Sequence, residues 1–230
     1  METKSDHDHK PFHEENFSRI EMQDAITARV SRISGEFKRA FEFIRSYPRS
    51  VSFFGSARFL ENDPHYANAY RLAKRISSEL QYTILTGGGA GIMEAANKGA
   101  LETGGESVGL NIMLPEEQRR NHFTTDSMDL YYFFVRKVAL SFAAEAYVFF
   151  PGGFGTLDEF FDIITLIQTR KIRRVPIILY GNDYWKNLHK FIADDLLKKH
   201  AAIDEEDMSL YTITENEDEI LEIIRKAPVR

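Results

Sequence analysis

The chain has 230 residues, of which 43% are apolar and 28% charged, with a net charge of −6 and no cysteine. That is enough chain for one full α/β domain. The missing cysteines exclude disulfides and cysteine-ligated metals, and the acidic balance argues against a nucleic-acid partner. No apolar run reaches the roughly 18 residues of a membrane span, and the polar N-terminus lacks the apolar core of a signal peptide, so no membrane association and a cytoplasmic location are expected.

Residues 1–17 read as a disordered polar tail carrying His7, His9 and His13. Scattered histidines can bind metal, but such a tail is first of all a mobile one. Residues 18–47 read as a helix. Ser18 and Glu21 form a capping-box pair, and Ile26, Val30, Ile33, Phe37, Phe41 and Ile44 make one apolar stripe. Pro48 ends it. This helix packs on the outside of the domain or against another subunit, and the pattern leaves that choice open.

From residue 48 to 230 strand and helix patterns alternate without a break in composition. Val51–Phe54 reads as a strand running into Gly55-Ser56-Ala57-Arg58, where Arg58 is either an anion contact or a solvated loop charge. Asp63-Pro64 reads as an N-cap with proline at the first helical position, opening a helix to about Leu80. Thr83–Thr86 is the second strand, and Gly87-Gly88-Gly89-Ala90-Gly91 leads into the next helix. Ser107–Asn111 is the third strand, followed by a long loop over 112–127. A short strand is expected over 128–133 and a helix over 134–144. Tyr147–Phe150 is a buried strand, then come a second glycine turn and a helix to Thr169. Val175–Tyr180 is a last central strand. A helix over 184–199, an edge strand over 210–213 and a helix over 215–226 complete the chain. The expectation is an α/β, Rossmann-like, doubly wound parallel sheet with an added N-terminal helix.

The second glycine turn, Pro151-Gly152-Gly153-Phe154-Gly155-Thr156-Leu157-Asp158-Glu159, joins strand directly to helix. Glycines let the backbone approach a ligand closely, and a helix start offers unpaired N–H groups to an anion, most simply a phosphate. Neither glycine loop carries the lysine of a P-loop. Gly87-x-Gly89-x-x is followed by Ile92 rather than glycine, and the next strand ends in Asn111 rather than an acid, which disfavours dinucleotide binding in its usual mode. Glu159 has two readings: a capping box with Thr156, or a carboxylate beside the bound ligand. Arg136-Lys137 sits among Tyr131, Tyr132, Phe133, Phe134 and Val135 on one side and Val138, Ala139 and Leu140 on the other, so these cations call for an anionic partner from protein or ligand.

Taken together, Thr86-Gly87-Gly88-Gly89-x-Gly91-Ile92-Met93-Glu94-Ala95, Phe134-x-Arg136-Lys137 and the Pro151–Glu159 motif resemble the "lonely guy" family of cytokinin riboside 5′-monophosphate phosphoribohydrolases, long mislabelled lysine decarboxylase. The resemblance spans about 51–185, and Asn111-x-x-Leu114-Pro115-x-Glu117-Gln118 is similar to the longer bacterial subgroup. It implies a homo-oligomer, at least a dimer, that cleaves the N-glycosidic bond of a purine nucleoside 5′-monophosphate without metal or organic cofactor. Carried over by motif, Arg136 and Glu159 are catalytic. Gly152, Gly153, Gly155 and Thr156 hold the 5′-phosphate, and Lys137 and Glu117 contact substrate. Gly88, Gly89 and Phe154 join the substrate-binding set, with Met113 and Tyr131 as further candidates for the pocket lining. Two other readings remain beside the hydrolase: a non-catalytic nucleotide sensor, and a single-strand DNA-binding relative that the acidic balance opposes.

Overall fold

The computed structural model describes residues 19–113 and 121–228. Contacts divide the chain into residues 1–35 and 36–230. In the first unit the described residues form the N-terminal part of α1 (Arg19–Arg45), on which Ile26 and Val30 are exposed. Ser18, the tail histidines and Glu117 lie outside the described residues.

The second unit is built on seven parallel strands: β1 (Ser50–Phe54), β2 (Thr83–Thr86), β3 (Ser107–Ile112), β4 (Asp126–Leu130), β5 (Ala146–Phe149), β6 (Ile177–Leu179) and β7 (Thr212–Ile213). They lie in the order β4-β3-β2-β1-β5-β6-β7. The chain winds outward from β1 through β4, then returns to the other side of β1 and winds the opposite way. β1 and β5 pair in register from Val51↔Ala146 to Phe54↔Phe149. Where the winding direction reverses, the loops leaving adjacent strands diverge and open a crevice at the C-terminal edge of the sheet.

The connecting helices are α2 (Pro64–Leu80), α3 (Ile92–Leu101), α4 (Phe133–Ser141), α5 (Phe154–Gln168), α6 (Asn182–Phe191) and α7 (Glu217–Arg225). α6 runs on as π-helical backbone over Ile192–Lys199, and a 3₁₀ turn covers Glu205–Ser209. Asp63 caps α2 through a bond from the His65 N–H at 2.8 Å, with Pro64 in the first turn.

Strands of a parallel sheet covered on both faces read as continuous apolar runs, and β1, β2 and β5 are buried along their whole length. Alternate side chains feed two core layers. Val51, Phe53, Ile84 and Val148 cluster with Leu72, Ile76, Ile92 and Ile220. On the other face, Phe54 stacks on Phe149 at 4.9 Å, and Phe149, Phe160 and Trp185 continue the aromatic row.

Two buried polar groups tie together segments that are distant in sequence. The Glu36 carboxylate accepts the Tyr131 N–H at 2.7 Å and the Tyr132 N–H at 2.9 Å, pinning the corner between β4 and α4. Asn97, fully buried on α3, accepts from the Thr86 hydroxyl at 2.6 Å and from Asn121 Nδ2 at 2.8 Å, and donates to Ser107 Oγ at 2.8 Å. It ties the ends of β2, β3 and the following loop together. Among the described residues no helix is long and apolar enough to cross a membrane.

Candidate active site

The crevice at the β1/β5 switch point is a cavity of about 1100 Å³. The loops after β1 and β5 are tied to one another, the Ser56 N–H donating to the Pro151 carbonyl at 3.0 Å. Gly152, Gly153, Phe154, Gly155 and Thr156 all line the cavity, as do Arg136 and Glu159.

α5 begins at Phe154 with Gly153 as its N-cap, and no side chain caps it. Thr156 therefore lies inside the first turn and Glu159 in the second, so the two are not a capping box. The first N–H groups of α5 have no partner within the helix. A β-carbon placed on Gly153 or Gly155 would meet nothing within 4 Å, so the backbone there faces open space. Phe154 is 94% exposed and stands at the mouth of the turn.

Glu159 faces into this space from α5. Its Oε2 is buried and has no hydrogen-bond partner among the described residues. Burial pushes its pKa up to about 7, against the opposing pull of the Arg136 and Lys137 charges. Removal from water raises a carboxyl because it penalises the charged form.

Arg136, in the first turn of α4, is held by backbone. Its Nε donates to the Leu110 carbonyl at 2.7 Å and its Nη2 to the Gly87 carbonyl at 3.1 Å. Burial lowers its pKa, and the Glu159 charge works in the opposite direction. Gly87 makes this approach possible: a β-carbon there would stand 2.2 Å from Nη2. The neighbouring Gly88 takes φ +68°, and a β-carbon on it would overlap the Asn111 amide. The first glycine loop thus works as a cradle for the guanidinium. Gly87 borders the cavity, whereas Gly88 and Gly89 are not among the residues that line it.

Lys137 reaches across to α5. It is paired with Asp158 at 2.8 Å and Asp162 at 3.7 Å. Burial, the largest single influence, lowers its pKa, but the aspartates and Glu159 together outweigh it and leave the ammonium favoured. Lys137 does not line the cavity, and neither do Met113 and Tyr131. Among the described residues no group of three or more His, Asp or Glu is placed to hold a metal ion.

The structure also brings in residues that motif reading passed over or left open. Ser56 and Arg58 follow β1, His65 opens α2, and Asp183 and Tyr184 follow β6, and all line the cavity. The Tyr184 hydroxyl donates to the Gly152 carbonyl at 2.6 Å, bracing the glycine turn from the β6 side. Their common signal is position: each lies in the connection that leaves the C-terminal end of β1 or β6, or in the first turn of the helix that follows it.

A family model described as "possible lysine decarboxylase" matches residues 93–224. A cytokinin riboside 5′-monophosphate phosphoribohydrolase from Rhodococcoides fascians is 25% identical over 165 residues, 70% of this chain and 79% of that protein. Among solved structures, the molybdenum cofactor carrier protein of Chlamydomonas reinhardtii aligns with a TM-score of 0.56 at 21% identity, covering 78% of this chain and 98% of that one. DNA processing protein A from Streptococcus pneumoniae aligns with a TM-score of 0.55 at 12% identity, over 81% of this chain and 64% of its own. At such identities the two structures speak to the fold alone.

Proposed function

The chain belongs to the family described as possible lysine decarboxylase, and within that family we propose that it hydrolyses the N-glycosidic bond of purine nucleoside 5′-monophosphates, giving free base and ribose 5-phosphate. The observation that carries this reading is one cavity lined by the Gly152–Thr156 turn, Arg136 and a Glu159 whose buried oxygen has no partner among the described residues. The name of the Rhodococcoides fascians relative points to the same bond.

In the proposed reaction the 5′-phosphate sits on the α5 N–H groups, and its binding energy positions the sugar. As the C1′–N9 bond breaks, positive charge builds on the ribose ring. Ionised Glu159 stabilises that charge and takes a proton from the attacking water, whose oxygen bonds to C1′. The departing purine takes up a proton from solvent and Glu159 afterwards returns the one it accepted, so the net reaction consumes one water. A base with a pKa near 7 is well matched to proton transfer at neutral pH. Arg136 supplies positive charge near the departing base or the ribose hydroxyls, from a position fixed by two carbonyls.

Amino-acid decarboxylation of the kind the family description names calls for a pyridoxal cofactor held on a lysine. The residues do not fit it. No lysine is among the described residues lining the cavity, and Lys137 is held as an ammonium by two aspartates.

A binding-only reading rests on Arg136, which uses Nε and Nη2 on backbone carbonyls. The test is incubation with AMP and with an N6-prenylated AMP, following free base and ribose 5-phosphate. Wild type releases base, and Glu159→Gln and Arg136→Ala lose about 10²–10⁴-fold in turnover. Binding of AMP without release of base establishes the binding-only reading instead. The same assay on the two nucleotides decides between a plain and an N6-modified purine. We also propose that the protein acts as a homo-oligomer, which light scattering tests directly.

A further inference from the structure

Among the described residues three buried side-chain polar atoms lack a hydrogen-bond partner: Ser52 Oγ, His65 Nδ1 and Glu159 Oε2. Buried polar groups are nearly always paired, and an orphan calls for an explanation. Two of these three belong to residues that line the same cavity. Glu159 has its explanation in the proposed hydrolysis. His65 has none, since no step above uses it.

His65 stands beside the start of the glycine turn. A β-carbon placed on Gly181 would lie 3.1 Å from Pro151 Cγ and 3.9 Å from His65 Cε1, which puts the imidazole and the first residue of the turn around one point. The ring is braced on one side by Phe59 at 5.0 Å. Its main-chain N–H is committed to Asp63, so the backbone is fixed while the ring nitrogen is left over. Because Nδ1 has no bond to lose, turning the ring about χ2 to present a nitrogen to a ligand sacrifices no hydrogen bond there.

We propose that His65 is a substrate-binding residue that donates a hydrogen bond to the phosphate monoester seated on the Gly152–Thr156 turn. The proposal rests on the hydrolase reading above for the identity of the ligand. A phosphate on the α5 N–H groups is served from one side only. Ser56, Arg58 and His65 line the same cavity from the loop after β1 and the start of α2, where they are available to oxygens that the α5 N–H groups do not reach. A hydrogen bond to an ionised acceptor is roughly twice as strong as a neutral one. An imidazole there would distinguish a nucleotide from its nucleoside without touching the reacting carbon.

The experiment compares wild type, His65→Ala and His65→Gln on AMP and on adenosine, with thermal unfolding of each to confirm folding. For His65→Ala the preference for AMP over adenosine, as a ratio of kcat/KM, is expected to fall about tenfold, with most of the loss in KM. His65→Gln, which keeps a donor, is expected to recover part of it. An equal loss on both substrates, or an unchanged ratio, overturns the proposal. Calorimetric titration with AMP separates this outcome from failure of the hydrolase reading. If wild type binds AMP without turnover, a tenfold weaker Kd in His65→Ala still supports the phosphate contact, and an unchanged Kd rejects it.

Discussion

Gly87→Ala tests whether the first glycine loop exists to hold Arg136. The added methyl would stand 2.2 Å from Arg136 Nη2, 3.0 Å from Met93 Sδ and 3.4 Å from Arg136 Cζ. The guanidinium must retreat by about 1 Å to reach ordinary contact, and the Gly87 hydrogen bond at 3.1 Å cannot follow it. The atoms that must move are the ends of flexible side chains, and Gly87 does not have a positive φ, so backbone strain is absent. Overpacking of this kind costs about 1–2 kcal/mol in stability. A misplacement of about 1 Å in a positioning group costs on the order of 100-fold in rate. The expected result is therefore a folded protein with a modestly lowered urea midpoint, near-normal AMP affinity by calorimetry and about 100-fold slower release of base. Full turnover in a folded Gly87→Ala protein would refute the view that backbone carbonyls set the working position of Arg136.

The pH dependence of stability carries the Glu159 signature. Its folded pKa of about 7 lies above its ordinary value of 4.5, so the folded state binds the extra proton. Its favourable contribution is complete below about 4.5 and is lost as pH rises to about 7, on the order of 3 kcal/mol in all. In Glu159→Gln that part of the slope disappears, so urea denaturation at pH 4.5 and pH 8 should show the variant gaining on wild type at the higher pH. An unchanged difference at both pH values would remove the buried-carboxyl account. Wild-type kcat/KM is expected to rise with pH through about 7 and then level off, because only the ionised form serves as base. A rate independent of pH from 5.5 to 8.5 would contradict that role. Glu36→Ala leaves two backbone N–H groups without their acceptor and is expected to destabilise by about 3 kcal/mol, read by urea denaturation. Asn97→Ala strips partners from Thr86, Asn121 and Ser107 at once, and a loss of about 3 kcal/mol or more is expected by the same measurement. A loss below 1 kcal/mol in either case would mean that water replaces the missing partners.

Much of the sheet can be read from local pattern, because a strand covered on both faces is a continuous apolar run and a helix is a periodic one. Tyr147–Phe150 and the start of α2 at Asp63-Pro64 show this directly. What pattern does not carry is the meeting of distant residues. Glu36 reaches the β4–α4 corner across about 95 positions of chain, and its spacing within α1 marks it only as a helical acid. The start of α5 differs from its sequence pattern for a definable reason. Thr156 and Glu159 have capping-box spacing, but Gly153 already supplies the extended conformation an N-cap needs, so the helix starts three residues earlier. The same shift moves Glu159 from the helix start into the second turn. Among the glycines, Gly87 and Gly88 look alike in sequence, yet one borders the cavity and the other packs against Asn111. Only the fold separates them.

Arg136 and Glu159 line one cavity and influence each other's titration, yet no direct ion pair joins them among the described residues. That separation matters chemically. A buried pair in contact would satisfy both charges and leave little for a ligand, whereas a carboxylate kept out of ion-pair contact retains a high pKa and an oxygen without a hydrogen-bond partner. The Arg136 charge nonetheless pulls the Glu159 pKa down, so its removal should raise it. Arg136→Met keeps side-chain bulk and limits entry of water, which would otherwise lower the Glu159 pKa by relieving burial. In that variant the Glu159 carboxyl, followed by carbon-13 NMR, is expected to titrate above the wild-type value of about 7. A midpoint that stays put or falls would mean that Arg136 acts on Glu159 chiefly by excluding water rather than by its charge, and the carboxyl would then owe its behaviour to the shape of the cavity.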